Sequence, residues 1–511
     1  MANWKDLRSL QHASWNLVLA IIVISVIVFS YGFDTSVFST IQAMDAYEKR
    51  FGSYNPTTEE WGFSTEHLSF LNSLGLPAKC MGALCGLLVA ERYGRRTSYI
   101  SMQFIIIVGI AISYTAKNYG AALAGRIIVQ LFVGWDNFLA PMFLAEISPT
   151  ALRGAIVVVY VFAHIFGSLI CSFVTLATSK FEGDSSWQLP LASMFAFPLF
   201  VLVFCWFIPE SPRWLVRKGR HEDAAKQLRW IRGSKLSEQE AEHEMSTLKQ
   251  TIEQDRETKG RWSDFLKGNN RRRLVISIAV AIFNQITGQS FMSQYGAIFI
   301  KSLKTMNTFT FTALSATITC VGPIITFSLV DIVGRRIFYL VGGTACITVL
   351  FICGGLGTGD VTTSDKTGIV AVCMMFGFFY VMSFGAIGAV TAAEVSHLRL
   401  RDKNALVVYC TQFVFDFIIT LTLPYHLNAG EANLQSKVGF IYGSCGAVGL
   451  VWAFFYLPDM TGRSLEELEE MWSQMVPARE FREWKSSSDE SSVDETRKVT
   501  EYPKADTVES C

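Results

Sequence analysis

Charged residues are scarce in this chain: only 17% of its 511 residues are Asp, Glu, Lys or Arg, and the formal net charge is zero. Because a soluble domain carries about 25% charged residues, this composition excludes an ordinary soluble protein. The zero net charge also leaves no overall attraction toward nucleic acid or anionic lipid. Half of the residues, 50%, are hydrophobic, which indicates a chain that lies largely within a bilayer.

The patterns of an enzyme are also missing from the sequence. It has no cluster of metal ligands, no paired nucleophile and base, and no phosphate-binding loop, and His164 and His397 stand alone. The first apolar run is too long for a cleaved signal peptide, and it contains Asp34. We therefore expect no enzymatic activity, no cofactor and no metal site, and we interpret the first run as a membrane span.

Long apolar stretches separate the clusters of charge. A helix of roughly 20 apolar residues crosses the hydrocarbon core of a bilayer, and the sequence predicts about twelve such spans. The predicted windows are Trp15–Phe38, Ser69–Ala90, Thr97–Ala116, Ala121–Ala145, Gly154–Thr178, Leu189–Ile208, Leu274–Ile300, Phe309–Val330, Ile337–Gly355, Gly368–Ala393, Leu406–Leu427 and Val438–Leu457. Basic residues mark the cytoplasmic side; they concentrate at 92–96, 213–273 and 335–336, so both termini are predicted to be cytoplasmic.

Three local patterns occur in the same order in both halves, which predicts two six-span units with one plan. Glu91 to Arg96 matches Asp331 to Arg336, Glu146 with Arg153 matches Glu394 with Arg401, and Pro209-Glu210-Ser211 matches Pro458-Asp459-Met460. Such duplication is typical of a machine with two lobes around a central site. The predicted organisation is a bundle at 1–208, a helical linker at 209–270, a second bundle at 271–458, a helix within 459–481 and a disordered tail at 482–511.

Charged residues inside the apolar runs are candidates for function. One charge at the bilayer centre costs roughly 2.5–3.5 kcal/mol, and the runs contain Asp34, Lys79, Arg126, Asp136, Glu146, Glu394 and Asp416. Asp34 and Arg126 are natural partners. Because only the acid of this pair can change its protonation, protonating Asp34 would release the pair and couple a proton to a conformational change. A permanent structural ion pair is the alternative.

The repeated loops predict a gate on the cytoplasmic side. Glycine permits a tight turn there, and the arginines can bind carboxylates or helix C-termini. The predicted gate residues are Glu91, Arg95, Arg96, Glu146, Arg153, Glu210, Arg213, Asp331, Arg335, Arg336, Glu394 and Arg401. The simpler alternative is that the positive residues only fix the topology.

The seventh span has too many polar residues for one buried helix face. Its predicted binding residues are Asn284, Gln285, Gln289, Ser290, Gln294 and Tyr295. Either Gly288 breaks the helix or a broad face lines an aqueous cavity; helix–helix hydrogen bonding is the alternative. Lys79, in the second span, needs a negative partner. We favour a structural partner, either Asp136 or Asp416; the alternative is an acidic group on the substrate.

These motifs resemble the sugar porter family of the major facilitator superfamily, and in particular its fungal branch. The resemblance lies in Gly32-Phe33-Asp34-Thr35, in the two Gly-Arg-Arg loops, and in residues 209–215 and 458–467. It implies an all-α integral membrane protein with two six-helix bundles, a cytoplasmic helical linker and alternating access. In proton-coupled members, the acid that matches Asp34 is the coupling residue.

Several positions that contact sugar in the family are changed here; among them an eleventh-span Asn-Trp is replaced by Gln412 and Phe413. We expect a secondary transporter of a small polyhydroxylated solute, with Gln412 among the binding residues and a proton as the coupled ion. The alternatives are a carrier or exporter of a small organic acid or specialised metabolite, and a non-transporting nutrient sensor. The expected location is the plasma membrane, as a functional monomer without nucleic-acid partners.

Overall fold

The structure is a computed structural model, and it describes residues 14–56, 59–148, 153–233, 238–258, 260–385, 388, 395–428, 430–460, 465–481 and 484. These residues are almost entirely helical, because long apolar stretches satisfy their backbone hydrogen bonds internally when they form helices. The predicted tail at 482–511 lies outside the described residues, except for Trp484.

Twelve helical segments of the described chain are long and apolar enough to cross a membrane, which confirms the predicted number. We number them spans 1 to 12. They are Trp15–Ile41, Thr65–Tyr93, Arg95–Tyr114, Tyr119–Ile147, Val159–Thr178, Ser185–Phe207, Gly268–Gln294, Thr308–Thr326, Arg335–Leu356, Thr363–Gly385, Lys403–Leu427 and Gln435–Tyr456.

Shorter elements connect and extend the spans. The helix of span 5 begins at Arg153, that of span 8 ends at Val333, and that of span 11 begins at Arg401. The remaining helices are Asp45–Phe51, Pro212–Arg217, His221–Arg232, Glu238–Thr258, Trp262–Leu266, Gly296–Leu303, Leu398–Leu400 and Leu465–Ser473. After span 1, strands Ser53–Asn55 and Glu60–Gly62 form a small antiparallel hairpin.

The spans pack into two bundles, each with its own apolar core. The first core runs from Leu17 to Ile231 and contains large buried side chains such as Phe132 and Phe143. The second is formed mainly by residues between Ile276 and Phe481. Together with the order of the spans, the two cores define an all-α fold of two six-helix bundles, as predicted.

Helices between the bundles lie on one side of the molecule, which we call the linker side, meaning the face that carries residues 212–266. Arg232 ties this segment to the first bundle, because its Nη1 donates to the carbonyl oxygen of Ile147, at the end of span 4, at 3.0 Å. Lys403 ties it to the second bundle through the carbonyl oxygen of Gly260 at 2.8 Å. The linker thus contacts both bundles.

Span 7 is broken, as one of the two sequence alternatives requires. Its first helix ends at Ile286, and a second helix covers Gln289–Gln294. Between them Gly288 has φ = 86°, in the left-handed region that favours glycine. The break changes the direction of the polar side chains that follow it.

Candidate functional site: a central cavity between the bundles

A polar cavity of about 150 Å³ lies between the two bundles. One buried water needs about 10–15 Å³ measured in this way, so the cavity is large enough for a small solute. Its lining residues are Tyr31, Thr35, Phe38, Ser39, Asn72, Leu76, Lys79, Arg126, Gln130, Asn137, Gln285, Gln289, Ser293, Gln294, Tyr409, Gln412, Phe413 and Asp416. Seven of these residues are Asn or Gln, and their amides both donate and accept hydrogen bonds.

Helical spacing explains why the lining residues come together. On span 11, Tyr409, Gln412, Phe413 and Asp416 have the spacing i, i+3, i+4 and i+7 of one helix face. On span 4, Arg126, Gln130 and Asn137 follow a similar stripe. This periodicity was available in the sequence, and it would have identified Asn137, Gln130 and Tyr409, which the sequence analysis missed.

The structure divides the eight predicted binding residues into two groups. Five of them, Lys79, Gln285, Gln289, Gln294 and Gln412, line the cavity.

The other three are corrections, because neighbouring helices satisfy their polar atoms. Asn284 donates to the carbonyl oxygen of Phe384 at 2.7 Å and accepts from Tyr380 at 2.9 Å. The hydroxyl of Tyr295 donates to the carbonyl oxygen of Thr420 at 2.9 Å. Ser290 donates to Asp416 Oδ1 at 2.6 Å, so it orients a lining residue without lining the cavity itself.

Asp34 and Arg126 form the predicted pair at the edge of the cavity. Arg126 Nη1 donates to Asp34 Oδ1 and Oδ2 at 3.1 and 2.8 Å. The two residues are 4% and 9% exposed, so screening by solvent is weak. The ring of Phe38 covers the guanidinium at 3.8 Å, and the amide of Gln130 can turn its oxygen toward it. All sides of this cation therefore have a partner.

Lys79 and Asp416 face the same cavity from opposite bundles. Asp416 Oδ1 accepts hydrogen bonds from Ser290 and, at 3.2 Å, from Thr420. Within the described part of the chain, Lys79 forms no ion pair or hydrogen bond. Asp136 is fully buried away from the cavity, and neither of its oxygens has a described hydrogen-bond partner. Neither of the two expected acids therefore contacts Lys79 directly, although the charge of Asp416 acts on it across the cavity.

Hydrogen bonds join the bundles on the side opposite the linker. Lys301 follows span 7 and donates to Asp45 Oδ1 at 2.7 Å, Glu48 Oε2 at 2.8 Å and the carbonyl oxygen of Ala43 at 2.9 Å. We call this contact the Lys301 clasp.

Two further bonds lie on the same side: Ser69 donates to the carbonyl oxygen of Leu421 at 2.5 Å, and Asn428 donates to Thr65 Oγ1 at 2.8 Å. Together with the clasp, they hold the two bundles together on this side.

On the linker side, the first bundle holds a buried ion pair between two predicted gate residues. Arg95 Nε and Nη2 donate to Glu146 at 2.9 and 2.7 Å, and the two side chains are only 2% and 8% exposed. Glu210 accepts from the backbone N–H of Arg95 at 2.7 Å and of Arg96 at 3.2 Å, so it caps span 3. Burial raises the pKa of Glu210, although these N–H groups oppose the shift.

The second bundle repeats part of this arrangement. Gly94 and Gly334 have φ values of 100° and 99°, and a side chain at either position would meet the matching acid, Glu210 or Asp459. Arg336 donates to the carbonyl oxygen of Phe454 at 2.5 Å. The repeated loops therefore have closely similar backbones.

Fewer side-chain contacts are described for the other predicted gate residues. Glu394 and the side chains of Arg153 and Asp331 fall outside the description. Arg335 has an interaction partner. Arg401 is exposed, Arg213 is half-buried, and Glu91 contributes its carbonyl oxygen to Trp214 at 3.0 Å. The side chains described here therefore do not join Glu91, Arg213 and Arg401 into one network.

Two six-helix bundles around a polar cavity define a multi-pass membrane transporter of the major facilitator type. The sugar (and other) transporter family model matches residues 20–472. The chain therefore belongs to this family.

Relatives and solved structures agree with that assignment. A major facilitator-type transporter of Aspergillus rugulosus, ecdD, is 26% identical over 471 residues, covering 89% of this chain and 87% of ecdD. The general alpha-glucoside permease of Saccharomyces cerevisiae is 28% identical over 475 residues, covering 90% and 76%.

Among solved structures, the proton:xylose symporter XylE bound to 6-bromo-6-deoxy-D-glucose has a TM-score of 0.72 at 22% identity, covering 89% of this chain and 99% of that chain. The inward open conformation of XylE from E. coli has a TM-score of 0.71, also at 22% identity, and covers 89% and 100%. At this level of identity, the likeness establishes the fold.

Proposed function

We propose that the protein is a secondary active transporter that moves a small polyhydroxylated solute by alternating access, driven by a proton gradient. The observation that carries the proposal is the amide-lined cavity between two bundles, which contacts such as the Lys301 clasp hold together on one side. Amides suit hydroxyl-rich ligands because they supply donors and acceptors together. The names of the alpha-glucoside permease and of XylE support a sugar-like solute.

Asp34 is the proposed proton acceptor. Both of its oxygens accept from Arg126 Nη1, and the attraction between opposite charges is lost when the carboxylate binds a proton, whereas the guanidinium keeps its charge. Because Arg126 also lines the central cavity, the released cation alters both the packing of spans 1 and 4 and the electrostatic field at the solute. This links the proton to the conformational change and to binding.

The linker side is proposed to face the cytoplasm, together with both termini, since basic residues concentrate there. The plasma membrane is the proposed location. The proposed working unit is a monomer in the lipid bilayer, because one chain provides both bundles and the cavity between them. No catalytic step is part of the proposal.

The test is uptake of labelled hexoses, pentoses, polyols and sugar acids into transporter-null cells, with and without a protonophore. We expect accumulation that the protonophore abolishes. Asp34→Asn should abolish uphill accumulation while exchange of solute across the membrane continues. Asp360→Asn, which removes an exposed acid between spans 9 and 10, is the matched control and should behave like the unaltered protein. Uphill accumulation by Asp34→Asn would contradict the coupling role.

A further inference from the structure

The central cavity contains two opposite charges that do not neutralise each other by direct contact. Lys79 belongs to the first bundle and Asp416 to the second, and both line the cavity. The other two charged residues there, Asp34 and Arg126, are bonded to each other at 2.8 Å. One cation and one anion, on opposite walls, therefore remain for a bound solute.

The cation is suited to a carboxylate on the solute. An ammonium has three donors and no acceptor, and inside a membrane protein it requires a compensating group. No carboxylate of the described residues pairs with Lys79. While Asp34 is ionised, Arg126 does not take over this role, because Asp34 and the ring of Phe38 occupy its guanidinium.

The remaining walls are suited to hydroxyl groups. Gln285, Gln289, Gln294 and Gln412 present amides to the cavity. On Asp416, Oδ1 is occupied by Ser290 and Thr420, and these two bonds hold the carboxylate in place. Its second oxygen has no hydrogen bond to a described side chain, so it can accept one from a hydroxyl of the solute.

We infer that the substrate is a polyhydroxylated monocarboxylate, of the sugar-acid class, whose carboxylate binds Lys79 while its hydroxyls bind the amides and Asp416. This inference rests on the proposed transport function and narrows its substrate. A solute of this kind contacts both bundles at once, so its binding favours the state in which the two walls approach each other.

The first experiment compares three solutes on the unaltered protein in proteoliposomes with a proton gradient. D-gluconate has the carboxylate and the hydroxyls, D-sorbitol has the same six-carbon polyol chain without charge, and L-lactate has the carboxylate with a single hydroxyl. We expect labelled gluconate to be accumulated, and its uptake to be half-inhibited by unlabelled gluconate at a concentration at least tenfold below that of sorbitol or lactate.

The variants then separate charge recognition from structural support. Lys79→Met should raise the half-saturating concentration of gluconate at least tenfold, which equals about 1.4 kcal/mol, and change that of sorbitol less than threefold. Lys79→Arg should retain the preference for gluconate because it retains the charge. Asp416→Asn should weaken both solutes, since both use hydroxyls there. Lys117→Met, which removes an exposed charge, serves as the control.

The outcomes distinguish this inference from the proposed function. If sorbitol accumulates with the proton gradient as well as gluconate does, or if Lys79→Met weakens both solutes equally, the sugar-acid inference is wrong and the transport proposal stands. If lactate competes as well as gluconate, the hydroxyl contacts are refuted. If neither gluconate, sorbitol nor any neutral sugar accumulates in response to the gradient, the proposed function itself fails.

Discussion

Removing the Lys301 clasp should open the side of the molecule that faces away from the linker. Lys301 has two acidic partners of different exposure, because the side chain of Glu48 is 14% exposed and that of Asp45 is 80% exposed. A hydrogen bond to a charged group contributes about 1.5–3 kcal/mol, whereas a solvent-exposed ion pair contributes about 0–1 kcal/mol. Glu48→Gln should therefore shift the equilibrium toward the open state by roughly ten- to a hundredfold, and Asp45→Asn by much less.

The assay is labelling of a cysteine introduced at Ser39, which lines the cavity, by a membrane-impermeant maleimide added to intact cells. The same background without that cysteine corrects for reaction at the native thiols. Labelling should increase in the order unaltered, Asp45→Asn, Glu48→Gln, with Lys301→Met at least as reactive as Glu48→Gln. The control is Arg50→Gln, because Arg50 forms an exposed pair with Asp184 at 3.7 Å within the first bundle.

Two results would refute this reasoning. Equal labelling of Asp45→Asn and Glu48→Gln would show that burial does not determine the strength of the clasp. An increase for Arg50→Gln as large as that for Lys301→Met would show that general loss of charge, and not release of the contact between bundles, opens the cavity.

Three further predictions follow from the same structure. Arg95→Met leaves the carboxylate of Glu146 buried without its partner, so the purified protein should lose about 3–5 kcal/mol of stability, seen as a lower Tm in detergent, while Arg95→Lys should lose less. Gly288→Ala forces a side chain into φ = 86° and should cost roughly 1–3 kcal/mol, measured by the same melt; Gly355→Ala, where an added Cβ meets nothing within 4 Å, is the control. Burial lowers the pKa of Lys301, but the opposing effect of Glu48 and Asp45 is larger, so the net pKa lies above its ordinary value. A lysine with a raised pKa stays charged at every pH below about 10.4. Lys301→Met should therefore alter the rate of uptake without changing the shape of its pH profile between about pH 6 and 8.

The features that the sequence predicted well are those that follow from local rules. Long apolar runs must become helices in a bilayer, so the number of spans could be counted. A buried acid and a buried base need each other, and Asp34 and Arg126 are indeed bonded at 2.8 Å. The crowded polar residues around Gly288 required either a break or a wide cavity face, and the structure has both.

The division between cavity residues and packing residues could not be predicted locally, because it depends on which helix lies opposite. Asn284 and Gln285 are neighbours in the sequence, yet Asn284 bonds to span 10 while Gln285 lines the cavity. The same limit applies to the expected pairing of Lys79 with Asp416. Its distance to Asp416 depends on the arrangement of two separate bundles, which no pattern within one span reports.

The two separate apolar cores have a consequence for synthesis. Among the described residues, the first core is built from residues 17–231, with Phe309 as a later contact, so this bundle can complete its packing while the ribosome is still translating the second. The bonds between the bundles, such as Ser69 with Leu421 across 352 positions, form last. Until then Asp45 and Glu48 are not bonded to Lys301. In the nascent chain, the side of the first bundle that faces away from the linker therefore keeps a larger negative charge until the residues after the seventh span are in place.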